Sequence, residues 1–416
     1  MRFGGLLLSA VLAGGAFPVQ ALTLDEAIAA AMAHAPEVAA ARAEADTADA
    51  RLREAKAGGL PSATVTGTIG VGRLDPQNFF GLGAADVTPR AAQLSIEQPL
   101  FAGGRVLAGI AQARAGSDAA KAGEDATRSQ IVAAVAQAYG EVLTSRRLIA
   151  LNREFLAQMQ EIQRQAQLRY KAGESPSTDV AQAAARLAEA EAALAQAQGA
   201  AVSADARFTN LTGLAPTDLA ALPANPQLPA TLEEATEAAR QHSPWLLQAE
   251  AGLRAAQASA RGARAERLPT VGAFAEGGLV RDQFFPDYRA DSATIGVRAR
   301  WQLFSPAVGA RITGSDSAVR AAQARLDAAR AQIDEQVIAA FQGVRTALLV
   351  EEASQRQAVA AAQARDSVAH EVRVGLKPQL DLLNAEREAT AAGAAAARAA
   401  TDRIVAAYRL LSLLGR

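Results

Sequence analysis

Two stretches of this chain, RYKAGESPSTDV at 169–180 and VRVGLKPQLDLL at 372–383, each set an aspartate just after a glycine and a proline: Asp179 and Asp381. Carboxylates gathered at an opening concentrate cations and repel anions. The same residues also suit a local task. Ser175 can cap a helix, Pro176 fits its first position, and Asp179 in the opening turn meets the positive end of the helix dipole. Pro378 and Asp381 repeat that arrangement, and Gly173 and Gly375 suit a left-handed turn. Catalysis finds no comparable constellation. His34, His242 and His370 are the only histidines, there is no cysteine, and nothing has metal-ligand spacing. GLGAAD and FAGGRVLAG lack a phosphate-loop lysine or a dinucleotide context. No enzyme, cofactor or metal site is expected.

The composition narrows the class. Of 416 residues 50% are hydrophobic but only 4% aromatic. Aromatic side chains usually dominate thick cores, so alanine, the best helix former, points to closely packed helices. A net charge of -1 without blocks of one sign argues against nucleic acid as a partner. Arg2, the apolar run FGGLLLSAVLAGGAF and then PVQA read as a signal peptide over 1–21, cleaved after Ala21. That run is too short to span a bilayer as a helix, which takes roughly 20 residues. The mature chain is expected to leave the cytoplasm with no transmembrane helix.

The chain is duplicated. MAHAPEV at 32–38 returns as RQHSPWL at 240–246, Leu60-Pro61 as Leu268-Pro269, EQPLFAGGR at 97–105 as WQLFSPAVGAR at 301–311, and the two opening stretches answer each other. The first repeat spans 22–213 and the second 231–416. Between them 214–230 carries Pro216, Pro223, Pro226 and Pro229 and reads as a linker.

Each repeat offers the same elements. Thr23, Asp25 and Glu26 open a helix, HAP interrupts it at Pro36, and Gly58-Gly59 with Pro61 stop it. Strands are expected at 62–72 and 91–101, then at 270–280 and 294–304. Val65, Gly67, Ile69 and Val71 oppose Thr64, Thr66 and Thr68; Leu94, Ile96 and Leu100 oppose Gln93, Ser95 and Glu97. Ile295, Val297, Ala299, Trp301 and Leu303 oppose Arg298, Arg300 and Gln302, while 270–280 alternates less clearly. The stretch 73–90 reads as a loop, and Phe79, Phe80, Phe284 and Phe285 fall in the two inter-strand connections, as an aromatic interface or as ordinary loop packing. Such strands fit a membrane barrel wall or a soluble sheet with one wet face.

The helices that follow separate these readings. From Arg105 to Lys171 no proline interrupts the chain, a rod of roughly 100 Å. Leu148, Leu151, Phe155, Met159 and Ile162 recur at about 3.5 residues, the coiled-coil spacing. The partner returns through 177–209, completing a hairpin over 105–209; the second repeat matches it over 311–412 with a turn at Gly375. Four strands cannot close a barrel, for which about eight are needed, and open edges are not tolerated in lipid. If these are membrane strands, several copies share one barrel.

Signal peptide, tandem repeat, two strands per repeat, very long helices and the RYKAGESPSTDV turn together resemble the TolC-like outer-membrane efflux protein family, with Arg169, Tyr170, Gly173, Asp179 and Val180 in place. The resemblance covers essentially the whole mature chain. It implies a mainly α fold with a β-barrel portion: a homotrimer whose twelve strands, four per chain, cross the outer membrane above an α-helical coiled-coil tunnel in the periplasm. The linker would lie in an equatorial band. It further implies a passive exit duct for drugs, ions or proteins, of an efflux or type I secretion system. Such a duct works with a periplasmic adaptor and an inner-membrane pump of RND, ABC or MFS type, and contacts outer-membrane lipid.

In that family the hairpin tips touch the adaptor and narrow the pore. This assigns adaptor contact to Arg169, Tyr170, Gly173, Ser175, Pro176, Arg373, Gly375 and Pro378, and the periplasmic gate to Asp179, Asp381, Lys377 and Asn384. Lys377 stands where an arginine can link neighbouring hairpins, and pairing with an aspartate across the mouth is expected of it if it is not merely solvated. Val372 stands where tyrosine is common and Asn384 where a second acid can lie, so the acid ring is weaker than the family pattern. The competing class is an exported coiled-coil scaffold without pore activity.

Overall fold

A computed structural model describes residues 21–75 and 83–415. All but the last residue of the expected signal peptide, together with Phe79 and Phe80, lie outside the described residues. In chain order the elements are α1 (Leu24–His34), α2 (Pro36–Ala57), β1 (Ser62–Ile69), β2 (Gly72–Leu74), β3 (Ala85–Val87), β4 (Arg90–Phe101), α3 (Arg105–Lys171), α4 (Ser177–Thr212), α5 (Leu232–His242), α6 (Pro244–Ala265), β5 (Thr270–Arg281), β6 (Arg289–Arg300), α7 (Pro306–Arg373) and α8 (Gln379–Leu413). The long helices α3 and α7 contain 67 and 68 residues. Contacts divide the chain into two units. The first joins the chain up to His34 with Ala134–Asn225 and Ala347–Val405; the second joins Ala35–Ala133, Pro226–Thr346 and the chain from Ala406.

The duplication is visible at every break. Thr23 forms a reciprocal cap: its hydroxyl accepts from the Glu26 N–H at 3.3 Å, and the Glu26 carboxylate accepts from the Thr23 N–H at 2.8 Å. Thr231 accepts from the Glu234 N–H at 3.2 Å in the second repeat. His34 ends α1 and His242 ends α5, each just before a proline-initiated helix. Their role is structural. The left-handed Gly213 that stops α4 lies so close to the His34 ring that a Cβ there would sit 2.9 Å from it, and Gly415 packs likewise against the His242 backbone. The positions called out by the sequence as repeated histidines are thus the seats for the C-terminal glycine of each repeat.

In the first unit, buried Ala183, Ala190, Ala197 and Ala204 recur at every seventh residue of α4. This keeps one seam facing its partners, and the small side chain lets helices approach closely. Near the hairpin ends the seam thickens into Phe155, Met159 and Ile162 of α3, Ala183 and Ala190 of α4 and Leu383 of α8. The linker is also tied here. Leu219 pairs with Leu22, and the buried Tyr139 hydroxyl lies 2.8 Å from the Leu22 carbonyl and 2.7 Å from that of Ala220. Burial pushes its pKa up to about 12.

One carboxyl in this unit is poorly solvated. Glu386 is buried. Its pKa is raised by desolvation, with Glu154 and Asp366 adding to the rise and the Arg365 guanidinium opposing it. The unfolded chain releases this proton at a lower pH than the folded one, so the group favours folding less as pH climbs from the ordinary glutamate range through the raised value. Glu386→Gln removes that dependence. Thermal melts are expected to show the variant gaining on the parent as pH rises from 4 to 7. A gap that stays constant across that range would contradict the desolvation argument.

The second unit combines a helical core with the sheet. Ala235 and Ala239 of α5 pack on Ile333, Val337 and Val344 of α7 and on Leu410, Leu413 and Leu414. The main sheet is antiparallel with order β1-β4-β5-β6, and β2 pairs with β3. Three details differ from the sequence expectation. The ladder of the first strand ends at Ile69, not at 72, because Pro89 has no N–H to extend it and only its carbonyl is used, by Gly70 at 2.9 Å. Within the expected loop 73–90, Gly72–Leu74 then re-pairs with Ala85–Val87. The last strand runs from Arg289 to Arg300 instead of 294–304. Backbone pairing with β5 from Arg281↔Arg289 to Thr270↔Arg300 defines it, and the alternation that continues through Trp301 and Leu303 has no ladder behind it.

Candidate functional site

The hairpin tips are built the same way twice. Gly173 has φ 78° and Gly375 φ 79°. The Glu174 N–H bonds the Arg169 carbonyl at 2.9 Å and the Gly173 N–H that of Tyr170 at 3.0 Å; Leu376 to Glu371 (2.8 Å) and Gly375 to Val372 (3.1 Å) repeat the pattern. This is the closed helix end that a left-handed glycine makes. Asp179 and Asp381 each lie in the first turn of the returning helix. Their own N–H groups bond the carbonyls of Pro176 (3.2 Å) and Pro378 (3.1 Å).

Two expected capping roles are not made. Pro176 is the cap residue in extended conformation, not the first helical residue, and Ser175 gives no side-chain cap; its hydroxyl is buried without a partner. With the proline one position earlier than expected, Ser175 lies outside the first turn and cannot reach its free N–H groups.

Within the chain Lys377 is paired on its own hairpin. Its ammonium lies 2.8 Å from Glu371 on the same hairpin, which raises its pKa, with a smaller contribution from the charge of Asp381. The lysine follows a turn that folds back over the last turn of α7, so the nearest carboxylate is the one the turn itself presents. Asn384, Arg169, Arg373, Gly173, Gly375, Pro176 and Pro378 are exposed. Tyr170 is exposed while Val372 in the second hairpin is buried. The two tips are brought together: Val180 next to Asp179, and Leu382 and Leu383 next to Asp381, belong to one apolar cluster.

The four-stranded sheet has two sharply different faces. Cross-strand register aligns Ala63, Ile96, Ala275 and Ile295 in one row and Val65, Leu94, Gly277 and Ala293 in the next. This face is bare: Val65 is 75% exposed and Ile295 85%. The other face carries Thr64, Thr66, Gln93, Ser95, Glu276 and Arg298. On it Arg298 bridges Glu97 (3.2 Å) and Glu276 (2.9 Å), with its guanidinium 4.5 Å above the Phe274 ring. Glu97 belongs to the first repeat and its two partners to the second. Sequence reading placed Arg298 on a polar face but missed this cluster, because only the β4–β5 register brings the repeats together. Among the described residues the outer strands β1 and β6 each have one neighbour, so both edges of the sheet are open there.

An apolar sheet face without a covering layer, open edges and doubled helical hairpins are what a shared barrel wall and tunnel need. The sequence matches the family of outer membrane efflux proteins over residues 27–214 and 235–416. The chain belongs to that family. The family is one of the outer membrane and its task is efflux.

Outer membrane efflux protein BepC of Brucella suis is 28% identical over 256 residues, covering 61% of this chain and 56% of BepC; the match thus spans little over half that relative's length. A membrane protein from Pseudomonas aeruginosa superposes with a TM-score of 0.83 at 20% identity, covering 94% of this chain and 90% of that one. The outer membrane protein VceC of Vibrio cholerae gives 0.79 at 19%, covering 94% and 96%. At these identities the likeness is one of fold. Among the described residues no helix of this efflux protein is long and apolar enough to cross a membrane.

Proposed function

We propose that three copies of this efflux protein close one twelve-stranded barrel, β6 of each pairing with β1 of the next, and that the helical hairpins form the periplasmic duct below it. A periplasmic adaptor and an inner-membrane pump of the RND, ABC or MFS type complete the path, and the duct itself passes cargo without using energy. The observation that carries this reading is the exposed apolar face on a sheet with two unsatisfied edges. Four strands would leave backbone groups unpaired in hydrocarbon, and only closure with other copies pairs them. The polar face with Glu97, Glu276 and Arg298 then lines the lumen. The adaptor is taken at the exposed tips around Arg169, Tyr170, Gly173, Pro176, Arg373, Gly375 and Pro378.

Asp179 and Asp381 form the narrow end, three of each per trimer. Leucine and valine neighbours pack the tips together, so the carboxylates stand at a constriction and not on a loose surface. Lys377 is held by Glu371 and feels Asp381 only through its charge, and Asn384 adds no charge. Purified trimer in planar bilayers is expected to conduct with preference for cations. Asp381→Ala is expected to lower the cation-to-anion permeability ratio by roughly threefold, read from reversal potentials in a salt gradient. Unchanged selectivity would remove Asp381 from the gate, and absence of any conductance would remove the duct.

A further inference from the structure

The apolar face of the sheet ends in a row of a different kind. Beyond the row Gly67, Ala92, Leu279 and Asp291, the next set of cross-strand neighbours is Ile69, Arg90, Arg281 and Arg289. Three arginines therefore stand side by side on three adjacent strands, on the face whose other rows are valine, leucine, isoleucine, alanine and glycine apart from Gln98 and Asp291. Like charges directly opposite one another in a sheet are destabilising, so a row of this kind calls for an anion. Among the described residues one carboxylate pairs with this row, Asp291, which Arg281 takes at 2.7 Å. Arg90 and Arg289 make no ion pair among the described residues and are exposed.

Position along the strands identifies the anion. The arginine row lies at the end of the sheet where β5 turns into β6, the end away from the helices. The opposite end, where the strands meet α3 and α7, shows exposed Phe101, Trp301 and Phe304 instead. From Val271 to Arg281 the strand climbs about 33 Å, or about 25 Å along the membrane normal at the usual tilt, which matches the apolar band of a barrel. Both borders carry aromatic side chains, since Phe284, Phe285 and Tyr288 stand in the β5–β6 connection, but on the apolar face the arginine row is found only at this end of the paired strands. A basic border at headgroup depth recognises phosphate, which the guanidinium fork binds in a bidentate manner.

We propose that Arg90, Arg281 and Arg289 form a belt, repeated three times around the trimer, that binds the phosphates of an anionic glycolipid in the outer leaflet. This rests on the barrel reading above. The probe is bis-phosphorylated lipid A, compared with the same lipid after enzymatic removal of both phosphates, each incubated with detergent-purified trimer and counted by native mass spectrometry. Wild-type trimer is expected to retain the phosphorylated form at least about tenfold better, and Arg90→Gln/Arg289→Gln, which leaves the Arg281–Asp291 pair intact, is expected to lose that preference.

Equal retention of the two lipids by the wild type overturns the proposal without recourse to any variant. So does a preference that survives in a double variant still migrating as trimer. Displacement of the lipid by low-millimolar inorganic phosphate would show a free-anion site instead of a lipid surface, and overturns it as well. Conductance of the wild-type trimer separates the failures: channels without phosphate preference remove only the belt, whereas no channels remove the barrel beneath it.

Discussion

Val65→Arg is expected to abolish membrane insertion, while Thr66→Arg, the next residue of the same strand, is expected to leave it intact. Val65 lies in the middle row of the apolar face, next to Leu94, and Thr66 lies opposite Gln93 on the polar face. An arginine at the lipid-facing midplane of a barrel costs about 2–4 kcal/mol. Three symmetric copies place the total near 6–12 kcal/mol, comparable to the whole stability of an ordinary domain. A lumen arginine at position 66 meets water and the glycine at 278, across Gln93, and crowds nothing. The check is the fraction of chain recovered from outer membranes as heat-modifiable trimer. Equal recovery of both variants would mean that neither face meets lipid, and the reverse order would mean the sheet is inside out.

The second large effect sits in the helical unit. Gly140 of α3 lies against Thr401 of α8: the Thr401 hydroxyl donates to the Gly140 carbonyl at 3.1 Å and lies 2.6 Å from the Thr144 hydroxyl. A Cβ on Gly140 would overlap the Thr401 methyl, well inside contact distance, and would reach the hydroxyl at 3.1 Å. Gly140→Ala is therefore expected to destabilise by about 3 kcal/mol, the upper part of the range for overpacking in a close-packed interior. Thr401→Ser deletes the methyl and keeps the hydroxyl, so in the double variant it should recover more than half of that loss, although serine alone is mildly destabilising. A double-mutant cycle from thermal melts measures the coupling, expected at about 2–3 kcal/mol. Additive effects would show that the helices move apart to admit the methyl.

Much of this molecule was legible one residue at a time. Proline and glycine marked the helix ends at Ala57, Lys171 and Arg373, because a missing N–H or a left-handed φ acts on its own neighbours. Alternation within 62–72 and 91–101 marked two faces, because the pleat makes period two a local property. The places where reading failed are equally local in cause. Ser175 looked like a cap because the helix start was taken one residue early, and 301–304 looked like strand because alternation does not report pairing. The Lys377–Glu371 pair was not foreseen, since nothing in VRVGLKPQ says that the turn folds the lysine back onto Glu371.

What the sequence by itself determined is the inventory: duplicated repeats, four main strands, the rods, their breakpoints, and hence the family whose parts occur in that order. Only tertiary structure decided which residues of the two repeats become neighbours. The Glu97–Arg298–Glu276 cluster, the row of three arginines and the seating of Gly213 on His34 all join positions far apart in the chain. Their register follows from backbone hydrogen bonding and from packing summed over whole elements, and no short window of residues carries that sum.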